Sequence, residues 1–282
     1  MLSKITIAEG FDFLAFYLKK VYDAAEARSV ARIVFEDALK VKNLESQEYL
    51  LLNDLHKMEE IRTRLLQNEP VQYVLGEADF YGLKFLVNEN VLIPRKETEE
   101  LVHWILETAK GENLKILDIG TGSGCIAVTL AKKLKNAKTT GLDVSSKALE
   151  ISKLNAEGNK CAVAFLEKDI LDEKQWSDFE NFDLIVSNPP YIPKKETKLV
   201  SKQTFKFEPK LALFVPDDTP LLFYQKIAKL ALNKLNPGGW LFFECNEFNA
   251  AEVKKHLENE GFKKVELKKD MAGKNRMIRA TL

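Results

Sequence analysis

Cysteine is scarce in this chain. Cys125, Cys161 and Cys245 are the whole complement, an odd number without Cys-x-x-Cys spacing. That excludes a disulfide framework and the usual thiol metal or redox motifs, and it fits three reduced thiols. His56, His103 and His256 are scattered, with no His-x-x-x-His pair, so no metal site is expected. No stretch approaches the roughly 18 apolar residues of a membrane span. Met1-Leu2-Ser3-Lys4-Ile5 opens no apolar core of signal-peptide length. These absences predict a cytoplasmic protein without a membrane partner. Charge of one sign is not in excess either: 42 Lys/Arg balance 42 Asp/Glu. A net charge of zero argues against a protein that coats nucleic acid, without excluding a local basic patch. What remains is 282 residues of ordinary globular composition, 45% hydrophobic and 30% charged. That length accommodates two unequal domains.

Three segments are legible. Residues 1–74 read as a small helical bundle. Phe13, Leu14, Phe16 and Tyr17 recur at helical spacing, as do Ala27, Val30, Ile33, Val34, Ala38 and Leu39. A third stretch from Ser46 to Leu66 puts Leu50, Leu51, Leu55, Met58, Ile61 and Leu65 on one stripe, and Asn68-Glu69-Pro70 stops it. Residues 75–93 carry Gly76, Gly82 and alternating apolar side chains around the turn signal Asn88-Glu89-Asn90, which predicts a β-hairpin linker. Residues 94–282 alternate strand and helix patterns. Strands are expected at Lys115–Ile119, Thr139–Asp143, Val163–Leu166, Asp183–Ser187, Gly239–Glu244, Lys264–Leu267 and Met277–Thr281. The alternation predicts an α/β, Rossmann-like, doubly wound sheet. The last two strands leave no room for a crossover helix, so one must run antiparallel.

Two motifs carry chemistry. The first strand runs into Gly120-Thr121-Gly122-Ser123-Gly124 and then a helix. Glycines here let the backbone lie against a ligand at the carboxyl edge of the sheet. Asp143 ends the next strand, placed to accept hydrogen bonds from ribose hydroxyls. Asp169 and Ile170 follow the third strand, near the expected base. This pattern fits either a dinucleotide or S-adenosylmethionine. The loop is G-x-G-x-G rather than G-x-G-x-x-G, which favours the methyl donor. The second motif is Asn188-Pro189-Pro190-Tyr191, directly after the fourth strand. The Asn188 side-chain carbonyl and the Pro189 backbone carbonyl can together accept both protons of a planar NH₂ group, and Tyr191 can stack on its plane. Holding both N–H bonds aims a delocalised lone pair at an electrophilic methyl. Asn188, Pro189 and Tyr191 are the candidate catalytic residues, and Asn188 to Tyr191 the candidate substrate contacts. The tetrad alone leaves open whether the nitrogen belongs to an amide or to an adenine.

With these motifs the chain resembles the HemK/PrmC family of release-factor glutamine methyltransferases. The resemblance runs through Pro70-Val71-Gln72-Tyr73-Val74-Leu75-Gly76, Phe80-Tyr81-Gly82-Leu83-Lys84-Phe85 and Leu92-Ile93-Pro94-Arg95-Lys96-Glu97-Thr98-Glu99. It continues through the glycine loop, Asp143, the tetrad with Ile192, Phe207-Glu208-Pro209 with Ala212-Leu213, and Asp270, Ala272-Gly273 and Arg276. It implies a class I methyltransferase sheet of seven strands and S-adenosylmethionine held by Gly120 to Gly124, Asp143, Ile170 and Asn188. It also implies a glutamine held by Asn188 to Tyr191, peptide chain release factors as partners docked by the helical domain, and no stable nucleic-acid partner. A ribosomal-protein glutamine methyltransferase or a nucleic-acid adenine methyltransferase shares the chemistry. The adenine enzyme needs a basic recognition module, whereas residues 1–75 hold ten Lys/Arg against twelve Asp/Glu, a net charge of −2. The chain departs from the family pattern at Lys96, Phe214 to Asp218 and Asn246. Lys194, Lys195, Lys198, Lys202, Lys206 and Lys210 read as either a solvated mobile loop or a patch facing an RNA-bound partner or a nucleic acid, and Arg95 with Glu97 and Glu99 as either surface ion pairs or pocket residues.

Overall fold

A computed structural model describes residues 4–282; Met1, Leu2 and Ser3 of the N-terminal stretch lie outside the described residues. The chain divides into two units, Met1–Glu77 with Lys202–Phe207, and Ala78–Ser201 with Glu208–Leu282.

The first unit is helical. α1 (Ile7–Leu18) starts with a capping box, Thr6 and Glu9 each satisfying the other's backbone N–H. α2 (Ala24–Ile33) is capped by Asp23, whose carboxylate accepts from Ala25 and Glu26 N–H at 2.9 Å each. It continues as a π turn over Val34–Ala38. α3 (Leu52–Leu65) and α4 (Val71–Leu75) complete the N-terminal part. Leu14, Leu18, Phe35, Met58 and Leu65 are fully buried between these helices. Two residues assigned to the buried stripes lie outside them: Phe16 is 65% and Leu51 is 70% exposed. Leu51 precedes the helix in extended conformation, at φ −68°, ψ 152°, so the stripe starts one turn later than the pattern implies. Lys202–Phe207, within the lysine-rich segment, is a short helix that belongs to this unit, where Gln203 donates to the Tyr22 hydroxyl at 3.4 Å.

The hairpin is shorter than the pattern implied. β1 (Glu77–Phe80) and β2 (Leu83–Leu86) are joined at Tyr81-Gly82, both with positive φ, +50° and +76°, which gives the backbone twist a two-residue hairpin turn needs. Asn88-Glu89-Asn90 is a separate turn beyond β2, closed by Val91 N–H donating to the Asn88 carbonyl at 3.1 Å.

The second unit is built on a seven-stranded sheet. In chain order its elements are α5 (Lys96–Thr108), β3 (Lys115–Ile119), α6 (Cys125–Lys133), β4 (Lys138–Asp143), α7 (Ser146–Gly158), β5 (Val163–Glu167) and β6 (Phe182–Ser187). A two-residue strand β7 (Ile192–Pro193) follows, then α8 (Lys202–Phe207, in the helical unit), α9 (Lys210–Leu213) and a second short strand β8 (Phe214–Val215). The chain ends with α10 (Leu222–Lys234), β9 (Leu235–Glu244), α11 (Ala250–Asn259), β10 (Lys263–Lys269) and β11 (Asn275–Thr281). The strand order is β10-β11-β9-β6-β3-β4-β5, with β11 antiparallel to both neighbours as the short last connection requires. Alternation along the strands feeds two cores, one on each sheet face. Leu117, Ile119, Ile185, Leu241 and Phe243 join one cluster, and Ile116, Leu184, Val186 and Phe242 the other. Phe80 and Phe85 of the hairpin pack edge to face at 5.9 Å within the second cluster. Among the described residues no helix is long and apolar enough to cross a membrane.

Candidate active site

Parallel register brings the ends of neighbouring strands side by side. Ile119 pairs with Leu142 of β4 and Ser187 of β6, and Ser187 pairs with Phe243 of β9. The residues that follow these pairs, Asp143, Gly120, Asn188 and Glu244, therefore stand in one row along the carboxyl edge, where open α/β sheets bind their ligands.

Local hydrogen bonds hold the glycine loop. Gly120 and Thr121 N–H both donate to the Leu142 carbonyl, at 2.8 and 2.9 Å, and Gly124 N–H donates to the Thr121 carbonyl at 2.8 Å. Asn155 of α7 donates to the Ser123 carbonyl at 2.8 Å and to the Leu86 carbonyl at 3.0 Å, tying the loop and hairpin to one side chain. Gly124 opens α6 at φ +79°, and a Cβ there would stand 3.0 Å from the Ser152 Cβ, so both conformation and helix packing require glycine. Beneath the loop Asp118 is fully buried. One carboxylate oxygen accepts from the Thr121 hydroxyl at 2.6 Å and Ala127 N–H at 3.2 Å; the other has no hydrogen-bond partner among the described residues. Burial pushes this carboxyl up to about 7, against the pull of those two donors.

Asp143 presents its carboxylate to the same loop. Oδ2 accepts from Gly122 N–H and Oδ1 from Ser145 N–H, each at 2.9 Å. Burial raises its pKa and the backbone donors oppose the rise. Each oxygen keeps further lone-pair capacity. A cavity of about 280 Å³ lies here, close to the lower end of the roughly 300–1,000 Å³ typical of small-molecule pockets. Of the residues singled out in the sequence, Gly120, Thr121, Gly122, Ser123, Asp143, Asp169, Ile170, Asn188, Pro189 and Pro190 line it together; Gly124 and Tyr191 do not. Gly124 sits behind the loop, at the helix start.

Tyr191 faces the next strand end. Its hydroxyl donates to Glu244 Oε1 at 3.4 Å, and burial raises its pKa, with the Glu244 charge adding to the rise. Glu244 is buried at the end of β9. Its second oxygen accepts from the Thr98 hydroxyl at 2.6 Å, and Thr98 in turn accepts from Asn188 Nδ2 at 3.2 Å. Burial pushes Glu244 up to about 7; Thr98, Arg276 and Tyr191 oppose this, and Glu97 adds to it. Arg95 lines the cavity and pairs with the buried Glu208 at 2.5 Å, while Ile93 N–H donates to the other Glu208 oxygen at 3.2 Å. Of the two readings of Arg95, the structure selects the pocket. Where the chain departs from the family pattern, Lys96 is exposed and pairs with Glu99 at 2.9 Å, Phe214-Val215 form β8 beside β7, and Asn246 accepts from Phe248 N–H at 3.1 Å.

A release factor glutamine methyltransferase of Flavobacterium psychrophilum is 45% identical to this chain over 93% of it and 94% of the relative. The chain belongs to the release factor glutamine methyltransferases. Another such enzyme, from Bacteroides thetaiotaomicron, is 38% identical over 93% of this chain and 95% of its own. The family model described as the methyltransferase small domain matches residues 96–210. A solved methyltransferase from Pyrococcus furiosus superposes with a TM-score of 0.52 at 21% identity, covering 78% of this chain and 96% of that one, a likeness of fold.

Neither Thr98 nor Glu244 stands out in the sequence as a site residue. Thr98 appears only within the Leu92 to Glu99 run, and Glu244 as the end of a strand. The available signal was the carboxylate itself: Leu241-Phe242-Phe243 is a core run, and an acid ending it needs buried partners. Phe223 and Leu211, further cavity walls, carry no motif at all.

Proposed function

We propose that this chain methylates the side-chain amide nitrogen of the glutamine in the Gly-Gly-Gln motif of peptide chain release factors, with S-adenosylmethionine as donor. One observation supports the reading above others: Asn188 and Pro189 line the same cavity as the glycine loop and Asp143, so the methyl donor and the accepting nitrogen share one chamber. When bound, S-adenosylmethionine supplies an electrophilic methyl group on its sulfonium. The Asp143 carboxylate accepts from ribose hydroxyls with the lone pairs the backbone leaves it. Ile170 and Asp169 would hold the base, and Gly120 to Ser123 would give their backbone to the rest of the donor.

The tetrad holds the acceptor. Asn188 Oδ1 and the Pro189 carbonyl accept the two amide protons, while Tyr191, outside the cavity lining, is tethered to Glu244 beside them. A planar amide nitrogen is a poor nucleophile because its lone pair is delocalised. Gripping both N–H bonds aims that lone pair and strengthens as the nitrogen pyramidalises, so the interaction is worth more in the transition state than in the ground state. The same grip would hold an adenine amino group; the glutamine reading rests on the family. Residues 1–74 serve as the docking domain for the release factor, residues 75–93 as the linker and residues 94–282 as the methyltransferase domain. The reaction takes place in the cytoplasm without a stable nucleic-acid partner.

Asn188→Ala tests the chemistry. Removing one acceptor at the reacting nitrogen should lower kcat by about 10²–10³, roughly 2.7–4 kcal/mol, as for loss of one oxyanion-hole donor elsewhere. S-adenosylmethionine affinity should change far less. Turnover close to wild type in this variant would refute the assigned role.

A further inference from the structure

Asn188 can accept a substrate proton only if its amide is turned the right way. A 180° flip of the side chain would present Nδ2 to the cavity and set donor against donor. The structure contains a device that forbids the flip.

Thr98 sits in the first turn of α5, 3% exposed, between Asn188 and Glu244. Its hydroxyl has one proton. At 2.6 Å from Glu244 Oε2, that proton is committed to the carboxylate, a short charge-assisted bond. The Thr98 oxygen then has only lone pairs left for Asn188, so the amide must turn Nδ2 toward it, as found at 3.2 Å. Oδ1 is thereby left for the cavity that Asn188 lines. Once ionised, above about pH 7, the carboxylate cannot donate, so there it enforces the direction of the whole chain of bonds. Its other oxygen takes the Tyr191 hydroxyl at 3.4 Å, so one buried acid serves both ends of the tetrad. The register makes this possible, since Ser187 opposite Phe243 puts Asn188 and Glu244 on adjacent strand ends. Thr98 comes from a different element, ninety residues before Asn188.

We infer that Thr98 and Glu244 are positioning residues for methyl transfer, locking the Asn188 amide in the orientation that accepts the substrate N–H. The inference rests on the glutamine-methylation reading above and adds which groups make the tetrad competent. Neither residue needs to touch substrate. Their effect is therefore expected on kcat, with binding of S-adenosylmethionine and of the factor left nearly intact.

The test is a kinetic series on the full chain with a release factor as acceptor, run at about pH 8.5, well above the Glu244 pKa of about 7. Thr98→Val keeps shape and loses the hydroxyl, so either amide orientation becomes available; kcat should fall about 10- to 100-fold, the scale of a misplaced reacting group. Thr98→Ser restores the hydroxyl and should recover most of that loss. Glu244→Gln can offer Thr98 either an acceptor or a donor, and its kcat should fall between the two. Calorimetric titration with S-adenosylmethionine in each variant should give a Kd within about threefold of wild type, and the factor KM should move as little; a preserved cofactor site also shows that the variants fold. A Thr98→Val enzyme with wild-type kcat, or a Thr98→Ser enzyme as impaired as Thr98→Val, would overturn the inference while wild-type turnover leaves the parent reading standing. A wild-type chain inert toward the factor would overturn the parent reading and this one with it.

Discussion

Replacing Asp143 by asparagine separates two roles that a single carboxylate performs. In the structure each oxygen already accepts one backbone N–H at 2.9 Å, Oδ2 from Gly122 and Oδ1 from Ser145. Asparagine keeps the shape but has one carbonyl oxygen. Whichever way its amide turns, an NH₂ group opposes either Gly122 or Ser145, donor against donor. The loop then loses one bond, and an unmet N–H in a half-buried site costs about 1–3 kcal/mol. That part acts on the protein alone and lowers Tm. The part that acts on the cofactor is the lost acceptor for one ribose hydroxyl, a hydrogen bond to a charged group worth about 1.5–3 kcal/mol. At about 1.4 kcal/mol per decade, the Kd for S-adenosylmethionine should rise about 10- to 100-fold. Calorimetric titration at pH 7.5 measures it directly, with S-adenosylhomocysteine as a second ligand carrying the same ribose. Both should weaken alike. A Kd within threefold of wild type, or weakening of one ligand only, would refute the assignment of Asp143 to the ribose.

Asp118 gives a pH-dependent test. Its folded pKa is raised to about 7 from an unperturbed 3.8. Between those values the folded chain holds a proton that the unfolded chain has lost, so stability falls as pH rises through the window, by at most about 1.4 kcal/mol per pH unit. Asp118→Asn stays neutral, so the Tm of the variant relative to wild type should climb from pH 5 to pH 8 in thermal scans; a pH-independent difference would contradict the shift. In the helical unit, Phe35 is fully buried and stacks edge to face with Phe11 at 5.7 Å. Phe35→Ala should destabilise that unit by about 3–5 kcal/mol in urea titrations. S-adenosylmethionine affinity should hold in dilute buffer, because every residue lining the cavity belongs to the other unit.

The sheet was readable because its strands are short apolar runs bounded by turns, and the inner parallel strands β3 and β6 bury consecutive residues on both faces. The start of β9 was less so. It begins at Leu235, ahead of Pro237-Gly238, a pair that reads as a turn and here accompanies a register shift against β6. In the helical unit, spacing located α1 to α3 but misjudged Phe16 and Leu51, because a period says which residues share a face and not where a neighbour ends. The glycine loop, Asp143 and the tetrad were legible since each is local in sequence and chemically distinctive. The Thr98–Glu244 bond was not, joining residues 146 positions apart whose types are common at helix starts and on surfaces. The grouping of Lys202–Phe207 with the helical unit also has no local signal; an amphipathic lysine-rich segment looks the same with or without a partner.

The most direct test of the central claim is transfer of labelled methyl from S-adenosylmethionine to a purified release factor, beside a factor whose Gly-Gly-Gln glutamine is replaced. The account predicts label on the first and none on the second. Label on both factors, or on DNA or a ribosomal protein and neither factor, would contradict it.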